Sequence, residues 1–126
     1  MIHMIEHIEM NAELVLSVAR DQLGVDVGFD RAGVEWLDGY VTRQHEDGDP
    51  DKVGGLVSTL GSFFGQCMVK TYGGGWSEGE EGWCVRFDEK NAVFPFAKID
   101  KHLRNGPEDS VLGLFDTIPV VFGGVG

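Results

Sequence analysis

Cysteine is scarce in this chain: Cys67 and Cys84 are the only two among 126 residues. That excludes a disulfide-dense scaffold. Each cysteine sits among apolar residues, so buried free thiols are the first reading, and a single disulfide in an exported protein is the alternative. Positive charge is also short, with 10 Lys+Arg against 21 Asp+Glu and a formal net charge of -11. Non-specific binding to nucleic acid or to an anionic membrane needs the opposite balance. No apolar run approaches membrane-spanning length. The opening "MIHMIEHIEM" holds two glutamates and no lysine or arginine, so it does not read as a signal peptide, and a cytoplasmic address is the default expectation. Met1, Met4 and Met10 each offer a start, and the expectation is that the first nine residues can be dispensed with.

What remains is ordinary globular material, 42% hydrophobic and 25% charged, of a length that suits one domain over residues 1–126. The first half carries helix signals. Asn11 reads as an N-cap with Met10 and Val15 as its hydrophobic staple. Residues 1–9 are then a disordered or extended leader. Leu14, Val15, Val18 and Leu23 make the apolar stripe, and Gly24 can end the helix in a left-handed conformation. Asp30 repeats the device between Phe29 and Val34, and Val34, Leu37 and Val41 follow at helical spacing beside Trp36 and Tyr40. After the loop "HEDGDPD", Asp49 and Pro50 start a third helix that runs to about Tyr72. Its residues Val53, Leu56, Val57, Leu60, Phe63, Phe64, Cys67 and Met68 make it the central core element. Gly54, Gly61 and Gly65 each cost it about 1 kcal/mol against alanine. Close approach of another backbone at Gly61 and Gly65 is the expected compensation.

Beyond Gly75 the period changes from helix to strand. Trp83, Val85 and Phe87 alternate with Cys84, Arg86 and Asp88. "DEKN" turns the chain into "AVFPFA", read as a further strand at an edge or bulge because Pro95 cannot donate to a ladder. "KIDKHLRNG" reads as a short helix. Val111, Leu114, Phe115 and Ile118 read as a last one, with a strand as the alternative, before a loose tail at 123–126. The class is α+β: three N-terminal helices on a small antiparallel sheet, with one or two short C-terminal helices.

Several patterns suggest chemistry and lose to simpler readings. "HMIEH" has the H-x-x-E-H order of a zinc peptidase in His3, Glu6 and His7. It lacks a third ligand and a cleft, so only adventitious metal binding at His3 and His7 is expected. Cys67 or Cys84 with His102 or His45 lacks an electropositive setting, and core packing takes the cysteines. "DGDPD" lacks the ligand set of a calcium loop, and Asp49 and Pro50 already have a helix to start. No cofactor is expected. An enzyme would need a cleft joining His102, Asp100 or Arg86 to a carboxylate of perturbed pKa.

The stretch "YGGGWSEGEEGW" has too much glutamate to cradle phosphate, and its glycines follow a helix instead of opening one. It reads as a helix stop and then a hairpin. A turn at Gly79-Glu80 pairs Glu78 with Glu81 and Trp76 with Trp83. Two facing glutamates are unfavourable, and that conflict marks the place where a basic partner is expected. The candidate contact residues are Trp76, Glu78, Glu80 and Glu81, joined by Glu46 and Asp47 of the other acidic stretch. Trp76 or Phe94 would anchor such a surface if exposed.

The segments "LGSFFGQCMVKTYGGGW" (Leu60–Trp76) and "AVFPFAKIDKHLRNGPEDSVLGLF" (Ala92–Phe115) resemble a family of small bacterial domains of unknown function. The shared pattern is G-G-x-W, then W-x-V, then F-P-F-x-K and N-G-x-E-D-S, spanning roughly residues 30–115. The resemblance implies one compact domain and no catalytic residue, and such domains are often suspected of being immunity or accessory proteins for toxins. The leading expectation is a non-enzymatic domain that docks one basic protein partner, as an antitoxin-like factor does. The alternative is a small-molecule or metal-binding domain with a pocket between helix 53–71 and the sheet.

Overall fold

The computed structural model describes residues 3–122, and only the backbone of His3. The expected 123–126 tail and the His3 side chain lie outside the described residues. In chain order come α1 (His3–Leu23), α2 (Arg31–Asp47), α3 (Val53–Tyr72), β1 (Gly75–Gly79), β2 (Gly82–Arg86), β3 (Ala92–Val93), α4 (Pro95–Asn105) and α5 (Val111–Phe122). Helices joined to one antiparallel sheet of order β1-β2-β3 make the chain α+β.

α1 begins eight residues before Asn11, so that residue is an interior, half-buried helix position and not a cap. The buried stripe explains the extension. Ile8 joins Ala12, Val15 and Ala19 on one face, so winding residues 3–10 into helix adds apolar burial. The two alanines, both fully buried, fit the side of α1 that runs along α3. Gly24 ends α1 at φ +68, with the Val25 amide bonding the Ala19 carbonyl at 2.9 Å.

α2 starts at Asp30, whose carboxylate accepts from the Gly33 amide at 2.9 Å. Asp49 caps a single 3-10 turn, Pro50–Lys52, that leads into α3. α3 is buried continuously from Leu60 to Met68 and stops at Gly73, φ +83. α1 and α4 cover most of it, and the sheet touches it more lightly. The glycine compensation is aromatic, not backbone: a Cβ on Gly61 would run into the Phe96 ring, and one on Gly65 into the Trp76 ring. Those two rings also pack on each other, centroids 5.8 Å apart, worth about 1 kcal/mol beyond their burial. Gly54 and Gly55 face open space.

Pro95 occupies the first turn of α4, where a missing N–H costs nothing, so "AVFPFA" gives a strand only over Ala92–Val93. Val111, Phe115 and Ile118 are the buried face of α5. Pro119 lies inside α5 and cannot donate to the Phe115 carbonyl four residues back. The Tyr72 hydroxyl donates to that oxygen instead, at 3.0 Å. Arg31 grips Asp116 with two bonds of 2.8 and 2.9 Å, tying the start of α2 to α5.

Candidate functional site

The hairpin register differs from the expectation by two residues. Trp76 pairs with Val85, Ser77 with Cys84, Glu78 with Trp83 and Gly79 with Gly82. Glu80 and Glu81 form the turn, and Gly82 carries the positive φ of +113. An even shift leaves every side chain on its expected face but removes the Glu78–Glu81 opposition. The reason is tertiary: Trp76 is held over Gly65, and its indole N–H donates to Gln66 Oε1 at 2.8 Å. Trp76 is therefore half-buried and part of the core, not an exposed anchor.

Glu78, Glu80 and Glu81 are all exposed, and no cation pairs with them among the described residues. β1 has no strand on its outer side, so these carboxylates decorate an open sheet edge. Glu46 and Asp47 lie apart from them, at the exposed end of α2. Asp47 meets Lys52 there at 3.5 Å.

A second polar group is buried. His102 is fully enclosed, its Nε2 2.8 Å from Thr42 Oγ1, while its Nδ1 accepts from the Val111 amide at 3.3 Å. Accepting at Nδ1 fixes the neutral tautomer with the proton on Nε2, donated to Thr42. Asp38 Oδ1 accepts from Ser110 Oγ at 2.5 Å and from the Leu112 amide at 3.2 Å. Ser110 Oγ in turn accepts from the Gly113 amide at 3.1 Å. The first three amides of α5 are thus capped by side chains from α4, α2 and the preceding residue. Desolvation lowers the His102 pKa below its ordinary 6.5, opposed by Asp38, 3.9 Å away, and by Asp109, and aided by Lys98 and His45. Beside this cluster, His45 donates from Nδ1 to the Leu103 carbonyl at 2.7 Å. Sequence spacing gives no sign of the cluster, because the bonds that join α2 to His102, Ser110 and Leu112 span 60 to 74 residues.

The other chemical candidates have structural employment. Asp100 pairs with Arg104 at 2.9 Å, and Arg86 binds the carbonyls of Asp88 and Glu89. Cys67 and Cys84 are free and buried, and burial pushes the Cys67 thiol well up. Among the described residues, no three His, Cys, Asp or Glu side chains converge to hold a metal, and no helix is long and apolar enough to cross a membrane.

Among the described residues, cavities open on two sides of the sheet. The larger, about 720 Å³, opens between β3, α4 and α5 and takes in Phe94. The smaller, about 320 Å³, lies between α1 and α3, bordered by Ser62, Trp83, Phe96 and the exposed His7. Comparison with protein-family models, with curated proteins and with solved structures finds no match to this chain.

Proposed function

We propose that this chain is a non-enzymatic acidic binding domain of the cytoplasm that docks one basic protein partner, in the manner of an immunity or antitoxin-like factor. In this reading, residues 1–126 form one domain in which the three N-terminal helices carry the sheet. The hairpin presents Glu78, Glu80 and Glu81, with Glu46 and Asp47 as a separate acidic contact, and Trp76 supports the hairpin from behind. The observation that carries it is the group of three surface glutamates, without a cation among the described residues, on an open edge strand and its turn in a chain with net charge -11. An arrangement of that kind steers a positive partner and repels a second copy of itself. The test is recovery of partners from the source organism's lysate at low salt, with wild type and with E78K/E80K/E81K. A basic protein recovered by the wild type and lost from the variant supports the reading. No basic partner, or equal recovery by both, overturns it.

The alternative, a small-molecule or metal-binding domain with its pocket between α3 and the sheet, draws on the 320 Å³ cavity beside Trp83. The space at Gly61 and Gly65 themselves is filled by the Phe96 and Trp76 rings.

A further inference from the structure

The cleft between β3, α4 and α5 combines features that the acidic hairpin does not explain. Its wall is apolar: Val93, Phe94, Ala97, Leu114, Ile118 and Phe122. A volume of about 720 Å³ falls in the usual range for small-molecule sites. Two of the ten cationic side chains of this acidic protein, Lys98 and Lys101, stand together on its α4 side, one helical turn apart. Their duties differ. Lys98 lies 3.6 Å from Asp109, whose carboxylate is also held by Asn105 at 2.6 Å. Lys101 is exposed and has no ion pair among the described residues. Glu81, on the hairpin turn, contributes the one carboxylate of the lining among the described residues.

We propose that this cleft binds an amphipathic monoanion, a medium-chain carboxylate, with the tail against Phe94, Ile118 and Phe122 and the head group at Lys101. The apolar wall supplies affinity in proportion to the area it covers. The lysines select the sign of the head group. Glu81 works against a negative ligand and against a second negative charge most of all, which is why the class is a monoanion. Lys101 forms no ion pair that the fold needs among the described residues, and Ala97 is exposed at the cleft, so both can be changed without disturbing the core.

The experiment is calorimetric titration of the full chain with decanoate below its micelle concentration, with decyltrimethylammonium as the charge-reversed control. Each variant's melting temperature is recorded alongside. Saturable one-to-one binding of decanoate and little of the cation is expected. Lys101→Gln should weaken decanoate about fivefold, and Glu81→Gln should strengthen it about threefold, as charges near a surface in water do. Ala97→Phe should narrow the cleft and weaken decanoate binding severalfold at an unchanged melting temperature. Absence of saturable binding by the wild type overturns the proposal. So does equal affinity for the cationic probe, or decanoate binding that Ala97→Phe leaves unchanged.

Discussion

At the hairpin tip, Glu78, Glu80 and Glu81 stand at the surface without a cation among the described residues, whereas at the start of α5 the polar atoms of Asp38, His102 and Ser110 are matched to backbone amides. Both are clusters of chemistry-bearing side chains, and the composition does not separate them. Burial does. In water a carboxylate loses little by having no partner, so the hairpin is free to serve something outside the chain. His102 and Val111 are buried and Asp38, Ser110 and Leu112 partly so, and there an unmatched amide or imidazole costs much of its desolvation penalty, so the α5 cluster is committed to holding the fold.

That contrast can be broken in three ways, taken from the largest effect on stability downward. Asp38→Ala leaves the Leu112 amide and the Ser110 hydroxyl without their acceptor, and should cost about 3 kcal/mol, read as a lower denaturation midpoint at constant slope. A loss below about 1 kcal/mol would mean that water replaces the carboxylate and that the cluster is not sealed. Next comes pH. The folded His102 pKa lies below its unfolded value of 6.5, so the native state binds fewer protons in that window. Stability is therefore fully present above about pH 6.5 and falls as the pH drops below it, by at most about 1.4 kcal/mol for each pH unit, the limit set by one proton. His102→Gln should flatten the slope between about pH 6.5 and 5, and an unchanged slope would assign the titration to other groups. The smallest effect is expected at the tip. E78Q/E80Q/E81Q should stay within about 0.5 kcal/mol of wild type in stability, because no ion pair among the described residues is lost.

The same contrast governs what could be read from the sequence. Most caps made by neighbours in the chain are legible: Asp30, Gly24 and Gly73 stand where local rules put them, Asp49 caps the 3-10 turn ahead of α3 and not α3 itself, and Asn11 fails because the buried stripe carries α1 back past it. Pro95 was ambiguous because it suits both an edge strand and a helix start, and only the α4 residues beyond it decide between them. The glycines of α3 announced that something fills the space beside them, but not that it is a ring. Phe96 and Trp76 arrive from elements whose placement no periodicity encodes. The hairpin register failed for a related reason. Gly79 and Gly82 both suit a turn, and the choice is made by Trp76 reaching Gln66 on α3. The acidic charge and the expected facing of Glu78 and Glu81 point to the hairpin, while the cleft beside Lys101 needs three elements brought together before it exists.

Pro119 and Tyr72 carry one more consequence, which concerns heredity. The proline on α5 creates a vacant acceptor on Phe115, and the tyrosine at the end of α3 fills it. Each residue is therefore the context in which the other is tolerated. A descendant that acquires an amide at 119 would relax the demand for a hydroxyl at 72, and one that loses the tyrosine would gain from losing the proline. The two positions should drift as a pair across descendants of this chain, leaving a record of α3–α5 contact in sequences alone.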